Sequence, residues 1–110
     1  MTLSVSIEST SVVVTLPSRL DGTNAAEAET DLAPVLAAGR TVVIDAANCS
    51  YISSAGLRLL LILAKVLKPQ GAKVLIAGMA PQLMEIMRIT GFDHLFDFCE
   101  TLGEARAAGV

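Results

Sequence analysis

The stretch that most limits how this chain can fold is Val42 to Ala64, VVIDAANCSYISSAGLRLLLILA, where a β-branched run passes through a short polar turn into an almost wholly apolar segment. Val42, Val43 and Ile44, closed by Asp45, read as a strand buried on both faces, the pattern of a parallel sheet. Beyond the polar stretch Ala46 to Ser50, the residues Leu57, Leu60, Leu61, Ala64 and Leu67 recur at helical spacing, so the chain has to turn between the two elements. That turn, Tyr51-Ile52-Ser53-Ser54-Ala55-Gly56-Leu57, is the candidate working site. Ser53 and Ser54 fall where the helix begins. A serine there either caps the helix, accepting from its free N–H groups, or stands where those donors and the helix dipole favour a phosphate. On residue type alone the cap is the favoured use.

The flanking sequence supplies the rest of an α/β domain. Leu3, Val5 and Ile7 alternate with polar residues as in a half-exposed strand, and Val12 to Leu16 is long enough to pair back in a hairpin. Pro17 ends that strand, leaving Ser18 to Gly22 as a loop. Asn24 with Glu27 fits a capping signature for a helix striped by Ala25, Ala28, Leu32, Val35 and Leu36, and Gly39 stops it. Pro34 is expected to kink this helix or end its first segment near Ala33. After Pro69-Gln70-Gly71 come a strand, Lys73 to Ala77, and a third helix from Pro81 to about Thr90, stopped by Gly91 and lined by Leu83, Met84 and Met87. Leu95, Phe96 and Phe98 make a last strand, and Thr101 with Glu104 a capping box for a closing helix. The expectation is one domain over residues 1–110, a mixed sheet of about five strands with about four helices.

Composition excludes several function classes. At 110 residues and 53% hydrophobic, the chain suits one domain with elements apolar on more than one face, or with surface kept for a partner. Arg58 and Lys65 interrupt the richest apolar run before it reaches bilayer-spanning length, so no membrane insertion is expected. The amino end lacks a secretion signal, and a cytoplasmic location is the simplest reading. A net charge of −3 without a basic cluster argues against nucleic acid and anionic membranes as partners. Cys49 and Cys99 have no neighbours at metal-ligand spacing and read as reduced thiols; neither a metal site nor a cofactor is expected.

Catalysis finds little support. His94, the only histidine, precedes the last strand with no serine or cysteine near it in sequence and reads as a turn residue. The order strand, Ser54, helix has the outline of a nucleophile elbow, but Ile52 stands where its first glycine belongs and no Asp-then-His pair follows. Asp21 and Asp45 both fall at strand ends, where turn chemistry and a site role are equally open. A small enzyme using Asp21, Asp45 and Ser54 would lack a base. The central helix is apolar nearly all round, with Leu59, Ile62, Leu63 and Val66 beside the main stripe and Arg58 and Lys65 on a narrow polar strip. Its flanks must be covered by neighbouring helices, or part of its surface serves for docking.

Taken together, Ile44-Asp45, the run Tyr51 to Arg58 and the helix after it resemble the signature of the STAS domain in bacterial anti-sigma factor antagonists. Ser18-Arg19-Leu20-Asp21 resembles the family's Gly-Arg-Leu-Asp loop, Gly71 to Leu75 its next strand, and Thr90 to Phe96 its late Thr-Gly-Leu/Phe segment, so the likeness covers essentially the whole chain. It implies a STAS-like fold and a partner switch without catalysis by this chain. In the family the unphosphorylated antagonist binds an anti-sigma factor that is also a serine kinase of the histidine-kinase-like ATPase fold. The kinase phosphorylates the Asp-Ser-Ser/Thr-Gly turn, and a PP2C-type phosphatase resets it. Aligning Gly56 with the family glycine puts the phosphoacceptor at Ser54, with Ser53 in place of the usual Asp and as the lesser alternative acceptor. Asp21, Ser53, Ser54, Ala55, Gly56, Leu57 and Arg58 are then the implied partner-binding residues. The alternative within the family is a non-switching scaffold subunit of a signalling or lipid-transport assembly, with Ser54 only a cap.

Overall fold

The computed structural model describes residues 1–109. Strand β1 (Ser4–Ile7) turns back into β2 (Val12–Thr15) as the alternating pattern requires, with the Glu8 N–H donating to the Ser11 carbonyl across the turn. Two residues, Arg19–Leu20, form β3, and α1 runs from Ala25 to Ala38. Strand β4 (Val42–Asp45), the short β5 (Tyr51–Ile52) and α2 (Ser54–Leu67) follow, then β6 (Val74–Ala77), α3 (Pro81–Thr90), β7 (Asp97–Cys99) and α4 (Leu102–Gly109), with 3-10 turns at Lys68–Gln70 and Phe92–Leu95.

Five strands form one sheet in the order β1-β2-β4-β6-β7, in which only the β1–β2 pair is antiparallel. The mixed sheet and four helices match the expected architecture. Val42, Val43 and Ile44 are fully buried because the sheet is covered on both faces. Val42 and Ile44 join Val12, Val14, Val74 and Ile76 against α1, α2 and α3, whereas Val43 joins Val13, Leu75 and Ala77 against Ala105 of α4. Each such aliphatic side chain removed from water stabilises the fold by about 1.5–3 kcal/mol.

Four local expectations need correction. Pro34 does not end α1, which continues to Ala38; the proline is exposed, so its ring lies on the solvent side, and the surrounding turns carry the helix past one missing donor. Asn24 stands at the N-cap of α1 without capping it, because its side chain accepts from the Asp21 N–H (3.0 Å) and donates to the Arg19 carbonyl (2.8 Å). The segment Ser18 to Gly22 is not wholly loop: Arg19–Leu20 pairs in parallel with Tyr51–Ile52 as a two-stranded sheet of its own. The last strand begins after Phe96, since Phe92–Leu95 is a 3-10 turn.

Candidate functional site

The site is built where β5 ends and α2 begins, beyond the carboxyl end of β4. The small sheet sets its frame: Arg19 lies opposite Tyr51 and Leu20 opposite Ile52, and the Ser53 N–H donates to the Leu20 carbonyl at 2.9 Å. Asp21, the residue after Leu20, thereby comes level with Ser53. Gly56 is what allows this closeness. A Cβ on it would stand 2.8 Å from both Ile52 Cγ2 and the Leu20 carbonyl oxygen, so only a residue without a side chain lets the first turn of α2 settle against β3.

The two serines have separate surroundings. Ser53 is the N-cap, in extended conformation, and its Oγ accepts from the Gly56 N–H at 3.3 Å while its carbonyl accepts from the Leu57 N–H at 2.8 Å. Ser54 is the first helical residue, exposed, and its hydroxyl makes no hydrogen bond among the described residues. The two serines therefore differ in place: Ser53 caps and Ser54 is presented to solvent. The first turn of α2 contains no acidic residue, so the helix itself supplies no charge to offset the positive end of its dipole.

Asp21 is half-buried and held by its own loop. Its Oδ1 accepts from the N–H of Thr23 (2.9 Å) and from the Thr23 hydroxyl, and its Oδ2 lies 3.6 Å from Arg19 Nε. The Thr23 bonds, the hydroxyl first, and then the Arg19 charge hold its carboxyl below the usual range, so it is ionised at neutral pH. Arg19 also stacks over the Tyr51 ring at 4.4 Å, an arrangement unforeseen from sequence because two-residue strands leave no periodicity to read. Asp45 accepts from the Ala47 N–H at 3.1 Å, ordinary turn chemistry.

The remaining named residues divide by exposure. Arg58 is exposed, Ala55 and Leu57 are half-buried, and Gly56 is buried, so Gly56 serves the site by position. The buried side of α2 consists of Gly56, Leu59, Leu60, Leu63, Ala64 and Leu67, rotated from the expected stripe, which leaves Leu57 and Leu61 at its margin. With Ser54, Arg58, Thr90 and Phe92 they line an open depression of about 280 Å³. Leu61, Thr90 and Phe92 are members of this surface that the turn sequence did not reveal. His94 is exposed in the 3-10 turn, its Nε2 3.7 Å from Asp93 Oδ1. Cys49 is buried and Cys99 half-buried, both unpaired, and burial pushes the Cys49 thiol up. Among the described residues no group of His, Cys, Asp or Glu is placed to hold a metal ion, and no helix is long and apolar enough to cross a membrane.

Known proteins share this sequence pattern and fold. A family model described as STAS domain matches residues 3–105. BtrV of Bordetella bronchiseptica, named as a proposed anti-sigma factor antagonist, is 33% identical over 98 residues, covering 88% of this chain and 84% of that protein. The crystal structure of an anti-sigma factor antagonist from Mycobacterium paratuberculosis superposes with a TM-score of 0.83 at 26% identity, covering 98% of this chain and 92% of that one. The Bacillus cell fate determinant SpoIIAA in its phosphorylated form superposes with a TM-score of 0.76 at 16% identity, covering 96% of this chain and 97% of that one, a likeness of fold.

Proposed function

Because the chain belongs to the STAS domain family, we propose that it is an anti-sigma factor antagonist that works by exchange of partners. Unphosphorylated, it binds an anti-sigma factor that is also a serine kinase of the histidine-kinase-like ATPase fold, and the sigma factor is freed. Phosphorylation of Ser54 ends that binding. The γ-phosphoryl group of ATP passes to Ser54 Oγ, the hydroxyl proton is lost and ADP leaves. A PP2C-type phosphatase hydrolyses the ester and restores the hydroxyl. The chain itself catalyses nothing in this cycle; it is the substrate of one enzyme and then of the other.

The observation that carries this reading is the division of labour between the serines: Ser53 Oγ is occupied in the cap, while the exposed Ser54 hydroxyl is unengaged at the first position of α2. The name of BtrV and the phosphorylated form of SpoIIAA support it from outside the chain. A phosphate adds about −1.5 to −2 charges at pH 7, and a helix N-terminus tolerates it without refolding. The ionised Asp21 adds negative charge on the β3 side of the same turn. A partner that covers the turn with acidic or close-packed groups is therefore displaced by charge and bulk.

Incubation with the anti-sigma kinase and ATP, followed by mass spectrometry of the peptide containing Ser53 and Ser54, tests the assignment. The expected product carries one phosphate, on Ser54, and Ser54→Ala carries none. Modification of Ser53 instead would move the acceptor, and no modification at all would favour the non-switching scaffold.

A further inference from the structure

Resting on Ser54 as acceptor, we infer that Arg58 is the residue that senses the phosphate: it pairs with phosphorylated Ser54 along α2 and is thereby no longer free for a partner docked over the depression that both residues line. The spacing is the first ground. Residues four apart on a helix face each other, and an anion N-terminal to a cation in this spacing is the favourable orientation. Ser54 and Arg58 also line the same depression, with Leu57, Leu61 and Phe92 as its apolar members.

The second ground is that Arg58 has no other work. It is exposed and makes no ion pair or hydrogen bond among the described residues. Two other arginines on the neighbouring elements are engaged, Arg19 with Asp21 and Arg88 with Glu85. Lys68 donates to the Leu95 carbonyl. Helix α2 and the 3-10 turn after it carry Arg58, Lys65 and Lys68 and no acidic residue, in a chain whose net charge is −3. A cation placed one turn inside a positive helix end, with no carboxylate on its own helix to balance it, suits an anion that arrives from elsewhere. A guanidinium in reach of a phosphate binds two of its oxygens at once, which an ammonium cannot do. In the unphosphorylated protein the same free guanidinium is available to a carboxylate of a partner seated over Leu57 and Leu61.

Phosphoserine incorporated at position 54 by genetic encoding, with the second ionisation of the phosphate followed by 31P NMR titration, tests the pairing without any kinase. Arg58→Gln is expected to raise that pKa by about 0.3 unit or more, since loss of the cation disfavours the dianion. Lys65→Gln, three turns away, is expected to leave it unchanged, and Arg58→Lys to restore part of the effect. An unaltered pKa in Arg58→Gln, or an equal rise in Lys65→Gln, would overturn the pairing. Neither outcome depends on whether a kinase modifies Ser54, so failure here is separable from failure of the proposed function.

Discussion

Gly56 is where a single added methyl group meets most resistance, because a Cβ would stand 2.8 Å from the carbonyl oxygen of Leu20, which is backbone and already accepts from the Ser53 N–H. Gly56→Ala is expected to cost about 1–3 kcal/mol, read as a lower urea midpoint. The adjacent serines differ in the same assay. Ser53→Ala removes the cap of α2 and is expected to cost about 1 kcal/mol. Ser54→Ala removes a solvated hydroxyl and should stay within about 0.5 kcal/mol of the parent. Equal losses would mean that the two hydroxyls share the cap. Asp21 gives a pH dependence with a definite sign. Its folded pKa is depressed by the Thr23 bonds and Arg19, so its contribution is present above the unfolded value and is lost as pH falls through the lower folded value. Asp21→Asn is therefore expected to flatten the stability profile below the ordinary carboxylate range and to leave its shape near neutrality unchanged. Much of the residue-level detail was legible: strand, turn and helix order put Ser53 and Ser54 at the helix start. Which of them caps was not legible, because two adjacent serines offer the same donors and acceptors until the backbone angle of Ser53 is fixed.

At the scale of elements, α2 shows both the reach and the limit of periodicity. With leucine or isoleucine at positions 57, 59, 60, 61, 62 and 63, almost any rotation gives an apolar stripe, and only the contacts with the sheet and α1 choose the inner face. Leu63, 1% exposed, is on that face, whereas Leu61 is half-buried at the rim of the depression beside Ser54. Leu63→Ala is expected to cost about 2–5 kcal/mol. Leu61→Ala should cost clearly less in thermal or urea unfolding and should show its main effect as weakened partner binding. Should Leu61→Ala prove the more damaging to stability, the inner face of α2 has been misassigned. Pro34 and Arg19–Leu20 were illegible for a related reason. A helix carries an exposed proline when its remaining hydrogen bonds and buried side chains suffice, and a two-residue strand exists only through its distant partner Tyr51–Ile52.

Over the whole molecule, the sheet is covered unequally: three helices lie on one face, and α4 alone covers Val13, Val43 and Leu75 on the other. Arg106 of α4 reaches Glu8 at 2.8 Å, and Lys73 donates to the Ala108 carbonyl, so the closing helix ties the first hairpin to the centre of the sheet. Ala105 is fully buried there, and Ala105→Asp is expected to cost several kcal/mol, measured by urea unfolding, because it places an unpaired charge against the strands. The fold was readable from β-branched strands alternating with helical stripes, since that order leaves few ways to bury both faces of a sheet. The depression beside Ser54 is less readable, because it joins residues from α2, the end of α3 and the turn after it. The proposed switch depends on what one phosphate at Ser54 does to docking over that depression. Titration calorimetry of the anti-sigma kinase with the unmodified protein and with the protein carrying phosphoserine at position 54 measures it directly. The expected result is a loss of affinity of about a hundredfold, roughly 3 kcal/mol. Equal affinity for the two forms would contradict the switch.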